Sequence, residues 1–267
     1  MTGRTRLGVL GWPVAHSLSP AMQNAALQTV GLTDWRYQLL PVPPELFPET
    51  VTALAGAGFR GANVTIPHKE AALAAASDAS ERVRQIGAAN TLTFDGPGQI
   101  HADNTDAPAL IASLPFAAAG KTALVLGAGG SARAAIWALL DAGAAEVRVW
   151  NRTPERARAL CAELGAKAVE EADPADILLN CTSSGLDAAE DIFKQLPVGV
   201  DELTRYQCVV DFVYSEAGTA LVHAARDRSI PVVDGLELLV GQGALSFERF
   251  TGRKAPVDAM RAAVGLP

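Results

Sequence analysis

Hydrophobic positions in this chain fall in short runs separated by longer stretches of mixed character, the pattern of strands alternating with helices. Arg6 to Leu10 predicts a strand ending in the turn Gly11-Trp12-Pro13. Ala21 to Val30 predicts a helix, with Ser19 as its N-cap and Pro20 at its first position. Trp35 to Leu40 reads as a second strand, and Pro43 to about Ala57 as a second helix. Phe59 to Ile66 runs as a third strand into Pro67, which ends regular pairing. Glu70 to Ala76 and Ser80 to Ile86 are helical, and Gly87 to Thr93 is a turn feeding a strand. Gly96-Pro97-Gly98 marks a hairpin, after which Asp106 is a candidate N-cap for a helix entered through Ala107 and Pro108.

From Lys121 the alternation becomes regular. Strands are expected at Thr122–Leu126, Glu146–Trp150, Ala166–Val169, Ile177–Asn180, Val209–Val213 and Pro231–Asp234, followed by a long helix and a last one over Ala255–Val264. Serial βαβ units imply a parallel sheet covered by helices. The expected class is α/β with two domains, an N-terminal α/β domain and a doubly wound parallel sheet, which 267 residues accommodate.

Composition narrows the function classes. No apolar run approaches the roughly 20 residues of a membrane span, and Gly11 and Pro13 interrupt the apolar stretch near the N-terminus, so a cytoplasmic protein without a signal peptide is expected. Cys161, Cys181 and Cys208 are odd in number and lack C-x-x-C spacing, which argues against a disulfide framework and a zinc site. A net charge of −7 without a basic tract argues against nucleic acid as a partner. Any bound anion must therefore meet a local positive site.

Candidate chemistry centres on a glycine turn. After the strand ending at Leu126, Gly127-Ala128-Gly129-Gly130-Ser131-Ala132 fits G-x-G-x-x-G/A, in which glycines give a tight turn and close approach of backbone to a pyrophosphate. The phosphates would sit at the N-terminus of the next helix, where free N–H groups and the dipole favour negative charge. About twenty residues on, a dinucleotide fold usually places an acid against the ribose 2′-hydroxyl. Here Asn151, Arg152 and Thr153 end the strand and Arg156 follows one turn later, a set suited to a 2′-phosphate and hence to NADP(H) over NAD(H). Upstream lie polar clusters: Ser17 and Ser19 beside a helix start, Asn63 and Thr65 two apart on an extended segment, Lys69 just beyond it, and Asn90 and Asp106 at two turns.

Together these clusters resemble the shikimate dehydrogenase family over nearly the whole chain. The matching stretches run from Gly11 to Pro20 and from Gly61 to Lys69, with Gly87-Ala-Ala-Asn90-Thr91, Asn104-Thr-Asp106, Gly127 to Arg133, Asn151-Arg-Thr153, Asn180 to Gly185, and Asp234-Gly-Leu236 with Gln242. The resemblance implies NADP(H)-dependent interconversion of shikimate and 3-dehydroshikimate, a step toward chorismate and the aromatic amino acids, by a monomer or homodimer. It implies a substrate domain over residues 1–104, a cofactor domain over 105–235, and helices over 236–267 returning to the first domain. Ser17 and Ser19 would hold the substrate carboxylate, and Asn63, Thr65, Asn90, Asp106, Tyr214 and Gln242 would surround the ring hydroxyls. Lys69 and Asp106 become the catalytic pair, with the lysine delivering a proton to the developing alkoxide. Cofactor contacts would extend to Thr182, Ser183, Phe212, Gly235 and Glu81. Two departures stand out: Gln23 replaces the family's usual His, a position expected to face helix packing, and Ala107-Pro108 replaces a glycine-containing stretch. The alternatives are a quinate/shikimate dehydrogenase preferring NAD, or a regulatory protein that keeps the fold without turnover.

Overall fold

The structure, a computed structural model, describes residues 4–186, 191–215 and 217–267. It divides into two compact units, residues 4–105 with 239–267, and residues 106–238.

The first unit contains β1 (Thr5–Gly11), α1 (Ser19–Thr29), β2 (Trp35–Pro41), α2 (Phe47–Gly56), β3 (Phe59–Val64), α3 (Lys69–Ala74), β4 (Asp78–Ala79), α4 (Glu81–Ile86), β5 (Thr91–Phe94) and β6 (Ile100–Asp103). Its strands form one mixed sheet in the order β2-β1-β3-β5-β6-β4. β1 pairs in parallel with β2 and β3, whereas β5 runs antiparallel to β3 and β6. The expected hairpin joins β5 to β6, with the Asp95 N–H on the Gln99 carbonyl. Phe47, Val51, Leu54, Phe59, Val64, Leu92 and Ile100 form much of the core, so α2 covers the sheet at β3 and its neighbours.

The second unit contains α5 (Asp106–Ser113), β7 (Thr122–Leu126), α6 (Gly130–Asp141), β8 (Glu146–Trp150), α7 (Pro154–Leu164), β9 (Lys167–Ala168), β10 (Ile177–Asn180), β11 (Cys208–Asp211), α8 (Ala220–Asp227) and β12 (Val232–Val233). All six strands are parallel, in the order β12-β11-β10-β7-β8-β9. The order reverses at β7 and β10. That is the doubly wound arrangement of a dinucleotide fold, in which ligands bind beyond the strand C-termini at the switch point. β10 and β11 are buried at every position, as strands covered on both faces must be. The last helices are α9 (Gly235–Thr251), whose residues from Leu239 on belong to the first unit, and α10 (Val257–Ala263), which packs on α1.

Three local expectations are corrected. Ser19 is not the N-cap of α1: the helix begins at Ser19, with Leu18 before it, because the Ser17 hydroxyl accepts the Ser19 N–H at 3.3 Å and performs that duty from farther back. Asp106 is the first residue of α5 itself. The strand predicted over Val209–Val213 ends at Asp211, whose carboxylate accepts the Val213 N–H at 3.0 Å and turns the chain out of the sheet.

Candidate active site

In the first unit the polar residues gather beyond β1, β3 and β5. Ser17 is half-buried and Ser19 buried, the two joined by the hydrogen bond just described. Thr65 lies one residue past β3 and donates its N–H to the Leu10 carbonyl at 2.8 Å, which fixes it beside the end of β1. Lys69 opens α3 and is half-buried, and its carbonyl accepts the Ala89 N–H at 2.8 Å. Just before it, His68 is buried with its ring stacked on Phe47 at 4.4 Å and Nε2 lying 2.7 Å from the Val42 carbonyl. A carbonyl only accepts, so Nε2 carries the proton. Burial holds the His68 pKa below its ordinary value, and the neutral ring anchors the start of α3.

Asn63 and Asn90 are not solvated strand-face residues, as polar positions there often are. Both are buried within one hydrogen-bonded network. Asn63 Oδ1 accepts the Tyr37 hydroxyl at 2.8 Å, and Asn63 Nδ2 donates to the Asn90 carbonyl and to Thr91 Oγ1, both at 3.3 Å. Asn90 Nδ2 donates to Thr105 Oγ1 at 3.0 Å, and Asn90 Oδ1 accepts the Thr105 N–H at 2.8 Å. Asn90 therefore fixes the residue immediately before Asp106, which is itself buried. Gln242, half-buried on α9, donates to the Leu239 carbonyl of its own helix at 2.8 Å. Glu81 is exposed at the start of α4 and accepts from Gln85. A pocket of about 220 Å³ in this unit is lined by Asp78, His101, Asp103 and Arg249 among others, but Asp103 and Arg249 are ion-paired to each other. Of its lining residues none is a candidate site residue.

In the second unit Gly127 follows β7 with φ +111°, and a Cβ there would come within 2.9 Å of the Cys181 carbonyl, so only glycine fits. Its N–H donates to the Trp150 carbonyl at the end of β8. Gly129 precedes α6, and a Cβ at Gly129 would meet nothing within 4 Å. That open space borders the first turn of a helix, where N–H groups lack intrahelical partners, and Ala128, Gly130 and Ser131 are partly exposed around it. Ala132 is fully buried, letting α6 lie close on the sheet. The turn therefore fits a pyrophosphate. At the end of β8 the Asn151 side chain donates to the Thr153 carbonyl at 2.8 Å. Arg152, Thr153 and Arg156 are exposed, and among the described residues neither arginine forms an ion pair.

Beyond β10 and β11 the loops are tied by a buried carboxylate. Asp211 accepts from Asn180 Nδ2 at 2.9 Å, from the Val213 N–H, and from the Thr219 hydroxyl at 2.6 Å. Burial pushes its pKa up to about 7, against the opposing pull of these three donors. Asn180 Oδ1 in turn accepts from the Thr182 N–H and hydroxyl, so Thr182 is held inward while Ser183 is exposed. Phe212 and Tyr214 are half-buried, and a Cβ at Gly235 would overlap the Val213 carbonyl, so the loop lies directly on the start of α9.

Each unit thus gathers its own candidates: Ser17 with Ser19, and Asn63 with Asn90, in the first; Gly127 with Thr182, and Phe212 and Tyr214 with Gly235, in the second. Tyr37, Thr105, Asp211 and Ser246 carry these arrangements and were not singled out by sequence. Ser246, four residues after Gln242 and so on the same helical face, was the most findable.

Comparison with known proteins assigns matching regions to both units. Residues 9–92 match the family model described as shikimate dehydrogenase substrate binding domain, residues 111–189 that of shikimate / quinate 5-dehydrogenase, and residues 235–264 that of the shikimate 5′-dehydrogenase C-terminal domain. Shikimate dehydrogenase (NADP(+)) of Paracoccus denitrificans is 42% identical over 264 residues, covering 94% of this chain and 92% of that protein. The crystal structure of shikimate 5-dehydrogenase from Thermus thermophilus in complex with NADP(H) and shikimate has a TM-score of 0.85 at 40% identity, covering 97% of this chain and 98% of that one. The ligand-free 5-ketofructose reductase of a Gluconobacter species also aligns, with a TM-score of 0.84 at 29% identity and 99% of each chain covered.

Proposed function

Since this chain belongs to the shikimate dehydrogenase family, we propose that it is an NADP-dependent oxidoreductase that reversibly reduces 3-dehydroshikimate to shikimate, on the route to chorismate and the aromatic amino acids. The first unit holds the substrate and the second the cofactor. The observation that carries the cofactor choice is the end of β8, where Arg152 and Arg156 are exposed and the strand-end positions Asn151 to Thr153 carry no acid. Gly127 to Ala132 would hold the pyrophosphate at the N-terminus of α6, with Asn151, Thr153, Thr182, Ser183, Phe212, Gly235 and Glu81 completing the cofactor's contacts. When bound, NADP(H) supplies or accepts the hydride at the substrate carbon.

The chain's own residues bind the ring and move the proton. Ser17 and Ser19 donate hydroxyl hydrogen bonds to the substrate carboxylate at the start of α1, where helix N–H groups add to the attraction. Asn63, Thr65, Asn90, Tyr214 and Gln242 shape the wall around the ring hydroxyls. Lys69 stabilises the developing alkoxide and donates a proton to it; in the oxidation direction the same nitrogen receives the hydroxyl proton. Asp106 orients the reacting hydroxyl and the lysine. A cytoplasmic setting belongs to the same proposal, in keeping with three cysteines that stand as thiols.

Lys69→Ala tests the assignment. Loss of a positioned general acid/base costs on the order of 10²–10⁴ in rate, so turnover should fall by that order while the Kd for NADP⁺, measured by nucleotide fluorescence or calorimetry, stays within about twofold. An unchanged rate would remove Lys69 from the chemistry, and a wild-type protein that binds NADP⁺ without turnover would favour the regulatory reading.

A further inference from the structure

A buried polar chain in the first unit connects α1, α9, β2 and β3, and it ends on residues assigned to the substrate wall. It starts at Gln23, wholly buried on α1 one helical turn after Ser19, whose Nε2 donates to the Gly243 carbonyl of α9 at 2.9 Å. The same carbonyl lies 3.0 Å from the Ser246 hydroxyl, which is also 3.3 Å from Asn63 Oδ1. The Tyr37 hydroxyl reaches that Asn63 oxygen at 2.8 Å. A serine hydroxyl has one proton, so Ser246 divides it between its own helix and Asn63.

Several features set this chain apart from ordinary core packing. A fully buried serine costs stability unless its hydroxyl is partnered, and both partners here are groups that fix wall geometry. The Gly243 carbonyl belongs to the peptide one residue beyond Gln242. Asn63 is the residue through which β3 meets Asn90 and Thr91. With O–H donors offered to Oδ1 by Tyr37 and Ser246, the Asn63 amide is held in one orientation, its NH₂ turned toward Asn90 and Thr91. Close approach is also built in: a Cβ at Gly243 would overlap the Met22 side chain, so α9 lies against α1 at this point. Gln23 fills the neighbouring space with an amide whose Oε1 is buried without a hydrogen-bond partner among the described residues. An amide kept there despite an unmet acceptor is explained by what its other end does, which is to hold the Gly243 carbonyl.

We propose that Ser246 is a positioning residue for substrate binding, linking α9 at Gly243 to the Asn63 amide and so holding the Gln242 and Asn63 sides of the substrate wall in register. This rests on the functional reading above. Ser246 is assigned no contact with the substrate. It acts through Asn63.

The test uses the full-length protein and steady-state oxidation of shikimate by NADP⁺. Ser246→Ala should raise KM for shikimate by about tenfold, the scale of one net buried hydrogen bond, with KM for NADP⁺ within about twofold of wild type. Tyr37→Phe, which removes the other O–H from the same oxygen, should move the same parameter in the same direction. The decisive readout is the Asn63→Ala background, where Ser246→Ala should change KM for shikimate by less than about twofold, because coupled sites are non-additive. A purely structural serine would give the same shift in both backgrounds, or shift kcat and both KM values together, and either result overturns the proposal. An unchanged KM in Ser246→Ala overturns it as well while leaving the functional reading intact. A wild-type protein that neither binds nor oxidises shikimate overturns the reading and this proposal with it.

Discussion

At the scale of single residues, the two glycines of the turn after β7 do different jobs. Gly127 has φ +111° and the Cys181 carbonyl against the place its Cβ would occupy, so it is demanded by the fold. Gly129 has an extended conformation that any residue adopts and open space where a Cβ would stand. Nothing among the described residues requires glycine there, whereas a phosphate approaching the backbone would. Gly129→Ala should therefore leave the melting temperature of the unliganded protein in place while weakening NADP⁺ binding by about tenfold or more. Calorimetry and thermal unfolding on the same sample check both halves, and a variant that binds NADP⁺ as wild type does would remove the pyrophosphate from this turn. The motif was readable in sequence, but the division of labour within it was not, since that depends on where Cys181 returns to the sheet. Asn63 illustrates the same limit. Its place on a strand face was legible, whereas its burial beneath Tyr37 and Ser246 depends on contacts across 26 and 183 residues of chain.

At the scale of elements, the strands of the second sheet that are buried on both faces were legible almost to the residue. β7, β8 and β10 begin and end at the expected residues. β11 ends short of its apolar run, which Phe212 and Val213 continue, because the residue that stops the strand is a buried acid. Asp211 also gives this element a pH dependence. Its pKa of about 7 in the fold lies above the ordinary carboxylate value of about 3.9, so between those values the folded state binds more protons than the unfolded one. Stability from this group is complete below about pH 4 and is lost as the pH rises through 7. His68 works in the opposite sense: with its pKa lowered in the fold, it makes stability rise as the pH climbs through the ordinary histidine range. The informative quantity is therefore the difference between wild type and Asp211→Asn, a neutral side chain whose oxygen can keep the donors Asn180 and Val213 while its NH₂ donates to the Thr219 hydroxyl in place of accepting from it. Unfolding curves from pH 4 to 8 should show the variant gaining on wild type as the pH rises. Parallel profiles would mean that Asp211 stays ionised in the fold.

At the scale of the whole molecule, the proposed function requires a chain of net charge −7 to meet anionic ligands through local devices rather than through its overall field. The devices are helix starts at α1 and α6, Lys69, and the exposed arginines after β8. The mixed sheet of the first unit and the wholly parallel sheet of the second match the change of texture at Lys121 in the sequence. The strand order and the assignment of α9 beyond Leu239 to the first unit follow from long-range packing that no local pattern records. Because the same fold at 29% identity serves a protein named for another ketone, architecture alone does not select the substrate. In the proposed function that selection is assigned to the polar residues of the first unit and to the end of β8. The direct measurement is steady-state oxidation of shikimate and of quinate, each with NADP⁺ and with NAD⁺. An NADP-dependent shikimate dehydrogenase should show its highest kcat/KM for shikimate with NADP⁺, and faster turnover of quinate with NAD⁺ would contradict that assignment.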